Sequence, residues 1–297
     1  MRVLLKGLWW PLKTYRKAID FAVRFSMDGI GICYSSLDES AYIWRHPYKA
    51  ETLKNISKLA NVAKEHGLSF FMMLNPTVTS FKLFTSNYPR IRKAFGLEPS
   101  HYPPDLAMNL DDKKDVKILL EKLQTLRNEG VEEFMLCFDD VAYDQNPEKE
   151  ARIANKVSSI TGKVMLTPSK YNLKAANSAY LETLGMELNK DVEVFWTGKD
   201  VVSLQIFKKE ENQFAKILGR VPSLWLNYPV NDYLEGEIVQ KPLPKSEIHL
   251  LGAKTLLINP MFQFEESKIP ILTVLDHVRQ GEDYNPQKSW RRAKYLL

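Results

Sequence analysis

Short runs of β-branched and aromatic residues alternate along this chain with longer stretches in which apolar residues return every three or four positions, the pattern of strands followed by amphipathic helices. The strand-like runs cover Arg2 to Trp9, Gly29 to Tyr34, Ser69 to Asn75, Glu132 to Asp140, Lys163 to Pro168, Val192 to Gly198, Ser223 to Tyr228 and Thr255 to Asn259. Helical periodicity fills Lys13 to Met27, Ala50 to His66, Asp112 to Asn128, Pro147 to Ile160, Ala179 to Leu188 and Val202 to Leu218. Four of these stretches run into a glycine, Gly67, Gly130, Gly162 and Gly219, the usual stop for a helix. Eight strand-plus-helix units in 297 residues predict an α/β fold, a single (β/α)8 TIM barrel spanning residues 1–297. A doubly wound open sheet is the other way to arrange parallel βαβ units. It is disfavoured because no G-x-G-x-x-G follows the first strand, and Gly29-Ile30-Gly31 lacks the third glycine.

In a barrel of this kind the chemistry belongs at the C-terminal ends of the strands, and that is where polar residues gather. The fourth strand ends Phe138-Asp139-Asp140, the fifth Thr167-Pro168-Ser169-Lys170-Tyr171, and the sixth Trp196-Thr197-Gly198. The seventh runs into Trp225-Leu226-Asn227-Tyr228-Pro229-Val230-Asn231-Asp232-Tyr233, and the eighth ends Ile258-Asn259-Pro260. After the third strand, residues 77–111 form a loop insertion far longer than an ordinary βα connection, rich in aromatic residues and placed on the active face.

Composition narrows the partners. Hydrophobic residues make up 44% and charged residues 26%, as in an ordinary globular chain. The 41 Lys and Arg against 36 Asp and Glu give a charge of +5 spread along the sequence. The densest basic runs, at Arg90 to Lys93 and Lys288 to Lys294, read as solvated helix faces, so no nucleic-acid partner is expected. Cys33 and Cys137 lie in apolar runs and read as small buried hydrophobes, which excludes a disulfide framework. Lys6 interrupts the apolar N-terminal stretch, no small-residue cleavage site follows, and no apolar run approaches a membrane span. A cytoplasmic protein with no membrane partner is the resulting expectation.

The histidines do not group, and H-E-x-x-H, Cys/His ligand spacing, a P-loop and the G-x-S-x-G elbow are all missing. What remains is carboxylate acid–base work. Asp139 and Asp140 can face one ligand only where the strand breaks into its loop; the alternative is a helix N-cap or two solvated loop charges. Two carboxylates so close titrate apart, which yields an acid and an anion from identical side chains. With Trp, Tyr and Asn at neighbouring strand ends, the combination suits a carbohydrate: rings cover the apolar sugar face, and amides and carboxylates take the hydroxyls.

These motifs resemble glycoside hydrolase family 84, the β-N-acetylglucosaminidases that include protein O-GlcNAcases. The resemblance rests on Phe138-Asp139-Asp140-Val141, Val194-Phe195-Trp196-Thr197-Gly198 and, above all, Trp225-x-Asn227-Tyr228-Pro229-Val230-Asn231-Asp232-Tyr233. Gly7, Trp44-Arg45-x-Pro47-Tyr48, Pro168-x-x-Tyr171, Tyr180-Leu181-x-x-Leu184-Gly185 and Asn259-Pro260 follow the same order. It implies a retaining exo-β-N-acetylglucosaminidase without cofactor or metal, in which the substrate's 2-acetamido oxygen attacks the anomeric carbon and forms an oxazoline. On that resemblance Asp139 orients the acetamido N–H and Asp140 is the general acid and base. Asn227, Tyr171, Trp225 and Thr167 surround the acetamido group, Asp232 accepts from the 4- and 6-hydroxyls, and Asn259 and the Gly7 carbonyl hold further hydroxyls. The partner is then a carbohydrate or glycoprotein bearing terminal GlcNAc. One departure bears on the substrate: where the family carries a sugar-binding Lys after strand two, this chain has Ser35. A glycosidase for another 2-acetamido sugar, or a carbohydrate-binding barrel without turnover, is the alternative that departure leaves open.

Overall fold

The apolar runs become eight short strands: β1 (Arg2–Lys6), β2 (Gly29–Ile32), β3 (Ser69–Leu74), β4 (Glu133–Cys137), β5 (Val164–Thr167), β6 (Val192–Trp196), β7 (Ser223–Leu226) and β8 (Thr255–Ile258). They pair in chain order, all parallel, and β8 closes back onto β1 with Leu4 beside Leu257. The computed structural model describes residues 1–7, 10–33, 45–76, 108–139, 146–203, 205–232, 234, 237–245 and 253–297. The predicted (β/α)8 barrel is therefore the fold, and closure removes the open-sheet alternative. Most of the 77–111 loop insertion, together with Ser35 and Asp140, lies outside the described residues.

Helices α1 (Leu12–Arg24), α2 (Ala50–Glu65), α3 (Lys113–Asn128), α4 (Pro147–Thr161), α5 (Ser178–Glu187) and α6 (Lys208–Leu218) connect successive strands, and α7 (Phe264–Gln280) and α8 (Pro286–Leu296) follow β8. The four stop glycines all adopt positive φ, the conformation a side chain would strain. α6 begins six residues later than its apolar period suggests. Thr197 Oγ1 and Ser203 Oγ both donate to the Asp200 carbonyl, at 2.7 and 3.0 Å, and the Asp200 N–H donates to Ser203 Oγ at 2.9 Å. These side chains satisfy a turn that competes with the helix for the same backbone.

Strand alternation divides the core in two. Outward residues such as Ile30, Phe134, Leu136 and Val194 pack with the helices in one continuous shell. Inward residues Leu4, Cys33, Phe71, Met73, Met135, Cys137, Met165, Phe195, Trp225 and Leu257 fill the barrel itself, as the layered interior of this fold requires. Arg2 closes the N-terminal end, donating to Ser69 and to Glu133 at 3.1 and 2.8 Å. Among the described residues no helix is long and apolar enough to cross a membrane.

The Tyr180-to-Gly185 motif has a packing role. Leu181 and Leu184 are buried, and a Cβ built on Gly185 would stand 1.9 Å from the Leu218 carbonyl oxygen at the end of α6. Gly185→Ala must part α5 from α6, and the expected loss is about 3 kcal/mol of unfolding free energy, read from urea denaturation. An unchanged urea midpoint would mean that the two helices can separate freely.

Candidate active site

The same alternation builds the mouth of the barrel. Two residues beyond the last inward apolar side chain of seven of the strands, the next inward position is polar: Leu4 gives way to Lys6, Met73 to Asn75, Cys137 to Asp139, Met165 to Thr167, Phe195 to Thr197, Trp225 to Asn227 and Leu257 to Asn259. Seven strands thus place a polar side chain on one rim. Most of these residues have left the hydrogen-bonded ladder, which explains why the strands are shorter than the sequence runs that announce them.

A chain of hydrogen bonds ties three neighbouring strands together. Trp225 Nε1 and Asn259 Nδ2 both donate to Asn227 Oδ1, each at 2.8 Å, while Asn227 Nδ2 donates to the Val201 carbonyl at 2.6 Å. Lys6 Nζ donates to Asn259 Oδ1 at 3.1 Å and lies 5.0 Å from the centre of the Trp225 ring. A donor at one end and an acceptor at the other fix which end of each amide is oxygen: Trp225 Nε1 and the Val201 carbonyl for Asn227, Lys6 Nζ and Asn227 Oδ1 for Asn259. Across the rim, Asn75 Nδ2 donates to the Asp139 carbonyl at 3.1 Å and so holds the backbone that carries the first carboxylate.

Cys137 sits beneath this rim, with the Thr167 hydroxyl beside it. Burial pushes its thiol well up, the charges of Asp139 and Cys33 push it further, and Lys6 opposes them. It is a neutral thiol, and both cysteines are buried, as their apolar surroundings in the sequence suggest.

The loop after β5, which carries Tyr171, is clamped from below. Glu150 on α4 accepts from Ser169 Oγ at 2.6 Å, from the Ser169 N–H at 3.1 Å and from Tyr180 OH at 2.6 Å. Burial raises the Glu150 carboxyl against these bonds. With its folded value above its unfolded one, the folded state retains a proton that the unfolded chain has lost, so stability falls as pH rises through the window above the usual glutamate range. Glu150→Gln is expected to abolish that fall in urea unfolding followed from mildly acidic to neutral pH. Parallel pH curves for the two proteins would sink this assignment.

Trp44 lies outside the described residues, and the rest of its motif anchors a loop end. Arg45 grips Asp115 on α3 with two bonds of 2.7 Å, and Lys122 Nζ, 4.3 Å from the centre of the Tyr48 ring, donates to the His46 carbonyl at 2.8 Å. Burial pushes the Asp115 carboxyl up, but Arg45 and the Asn109 N–H outweigh it and hold it low.

Of the residues singled out from sequence, Trp225, Asn227 and Asn259 are in direct contact, and Thr167 and Asp139 share their barrel end. Tyr171 is half-buried on the β5 loop, where its carbonyl accepts from the Thr197 N–H at 3.0 Å. Asp232 follows Asn231, whose amide donates to the Glu237 carbonyl at 2.7 Å and to Gln263 at 3.1 Å, pinning the β7 loop to the segment after β8. Gly7 has a steric reason to be glycine: a Cβ there would come within 2.2 Å of Tyr15. Lys6 and Asn75 escaped the sequence reading, although each lies two residues past an apolar position on its own strand.

The profile of the NAGidase family, beta-N-acetylglucosaminidase, matches residues 38–296. The protein O-GlcNAcases of Rattus norvegicus and Mus musculus are each 25% identical to the chain over 250 residues, covering 78% of this chain and 24% of theirs, so the chain spans about a quarter of the length of these curated relatives. The fold superposes on CpGH84B with a TM-score of 0.81 and 22% identity, over 100% of this chain and 51% of that one. It superposes on a point mutant of the Thermobaculum terrenum O-GlcNAc hydrolase with a TM-score of 0.79 and 23% identity, over 99% of this chain and 62% of that one. At these identities the structural likeness establishes the shared barrel.

Proposed function

Because the chain belongs to the NAGidase family of beta-N-acetylglucosaminidases, we propose that residues 1–297 form the catalytic barrel of a retaining exo-β-N-acetylglucosaminidase that removes terminal GlcNAc from a glycoconjugate, a glycosylated protein included. The observation that carries this reading is the hydrogen-bonded set Trp225–Asn227–Asn259, on the same barrel end as Asp139. It joins an aromatic face, oriented amides and a carboxylate, the equipment that recognition of a 2-acetamido sugar calls for.

In this mechanism the acetamido oxygen of the substrate attacks the anomeric carbon as the glycosidic bond breaks, and Asp140 protonates the departing oxygen. Asp139 holds the acetamido N–H and balances the positive charge that develops on the forming oxazoline. Asp140, now a carboxylate, takes a proton from the water that opens the ring. Attack first from within the substrate and then by water inverts the anomeric centre twice, so configuration is retained. Asn227 and Tyr171 orient the acetamido group, Trp225 and Thr167 line its pocket, and Asp232, Asn259 and the Gly7 carbonyl take the remaining hydroxyls. Two buried cysteines inside apolar packing suit a reducing, cytoplasmic setting.

The test is release of 4-nitrophenol from its β-GlcNAc glycoside, with the first-formed sugar anomer read by proton NMR. The β anomer is expected; the α anomer, or no release, overturns the proposal. Asp139→Asn is expected to lower kcat about 10²- to 10³-fold whatever the leaving group, because it weakens the intramolecular attack itself.

A further inference from the structure

Lys6 is 5% exposed, and among the described residues its ammonium makes one hydrogen bond, to the Asn259 side-chain oxygen, with the Trp225 ring against its flank. Among the described residues no carboxylate forms an ion pair with it. A buried ammonium carries three donors and is costly to leave unsatisfied. The side chain has little freedom to seek a partner elsewhere. Its neighbour across the β1–β2 ladder is Gly31, and the space above that glycine is taken by the Phe71 ring, 2.1 Å from where a Cβ would stand. Phe71 therefore floors the barrel beneath Lys6, and Asn259 and Trp225 fix its head at the mouth.

From this geometry we infer that Lys6 is a substrate-binding, specificity-determining residue, donating from the end of β1 to one hydroxyl oxygen of the bound sugar beside Asn259. The inference rests on the reading of this barrel end as a sugar site. The ligand it selects is a neutral polyhydroxylated ring rather than an anion, because the Asp139 carboxyl, at the end of β4 where Asn75 holds its backbone, shares the rim with Lys6. Lys6 also locks Asn259. The Asn259 Nδ2 is committed to Asn227, and its oxygen, with one lone pair given to Lys6, has one left for the sugar.

The experiment is a cycle between protein and substrate. Wild type and Lys6→Met, which keeps an unbranched apolar stem and removes the ammonium, are assayed on 4-nitrophenyl β-GlcNAc and on its 3-, 4- and 6-deoxy forms. Expected is a drop of about tenfold to a hundredfold in kcat/KM for Lys6→Met on the parent substrate, carried by KM, as suits loss of a charged hydrogen bond. One deoxy substrate should show the same drop with wild type and no further drop with Lys6→Met. Additive losses on all three deoxy substrates would mean that Lys6 acts only through Asn259, and wild-type behaviour of Lys6→Met would mean that it does nothing at the site; either overturns the proposal. A change confined to kcat with a shifted pH profile overturns it as well, by making Lys6 a counter-charge to the carboxylates. Lys6→Gln is run beside it so that a folding defect in one variant does not decide the result. If wild type cleaves none of these glycosides, the reading of the site as a GlcNAc hydrolase falls and takes this inference with it, whereas failure of the inference alone leaves wild-type turnover intact.

Discussion

4-Nitrophenyl β-glucoside, which carries a hydroxyl where GlcNAc carries its acetamido group, is expected to be turned over about 10⁴-fold or more slowly than the acetamido substrate. The two share a leaving group, a ring and every hydroxyl but that one. In substrate-assisted catalysis the nucleophile is part of the sugar, and a well-oriented intramolecular group reaches effective concentrations of about 10⁵–10⁸ M. The residues assigned to the acetamido group would hold it in one orientation. Asn227 is fixed by donors from Trp225 and Asn259 and by its own bond to Val201, so it has little freedom to follow a smaller substituent. The measurement is kcat/KM on both glycosides with the same preparation. A ratio within about tenfold would mean that an enzyme carboxylate attacks the anomeric carbon, and the proposed mechanism would be wrong.

The architecture was legible in the sequence because alternation of period two and period 3.6 is a local property, and all eight strands and the four stop glycines could be read from it. The rim was legible only in part. Asp139, Thr167, Asn227 and Asn259 were visible as polar ends of apolar runs, but Lys6 read as an interruption in an apolar stretch. Its meaning depends on β1 meeting β8, which sets Asn259 within reach from 253 residues away. Asn75 closes the third apolar run, and nothing local says that it holds the Asp139 backbone. Motif order told little about role. The residues from Arg45 to Tyr48 and from Tyr180 to Gly185 belong to the same resemblance, yet their work is to fasten a loop end to α3 and to let α5 touch α6. Ser35 and Asp140 lie outside the described residues.

Asp140→Asn should divide substrates by their leaving groups. A general acid contributes most where the departing oxygen is basic, and loss of one typically costs about 10²- to 10⁴-fold. On an alkyl or serine-linked GlcNAc the leaving alkoxide cannot depart unprotonated, so the full loss is expected. 4-Nitrophenolate departs without a proton, so turnover of its glycoside depends on Asp140 mainly in the second step, when water opens the oxazoline, and the loss there should be at least tenfold smaller. Under the proposed roles, Asp139 in the attack and Asp140 in the departure, the two Asn variants should separate on a plot of log(kcat/KM) against leaving-group pKa: a steeper slope for Asp140→Asn, a parallel line displaced downward for Asp139→Asn. Equal losses on alkyl and aryl substrates for Asp140→Asn would remove it from the acid role and reopen the question of which rim residue delivers the proton.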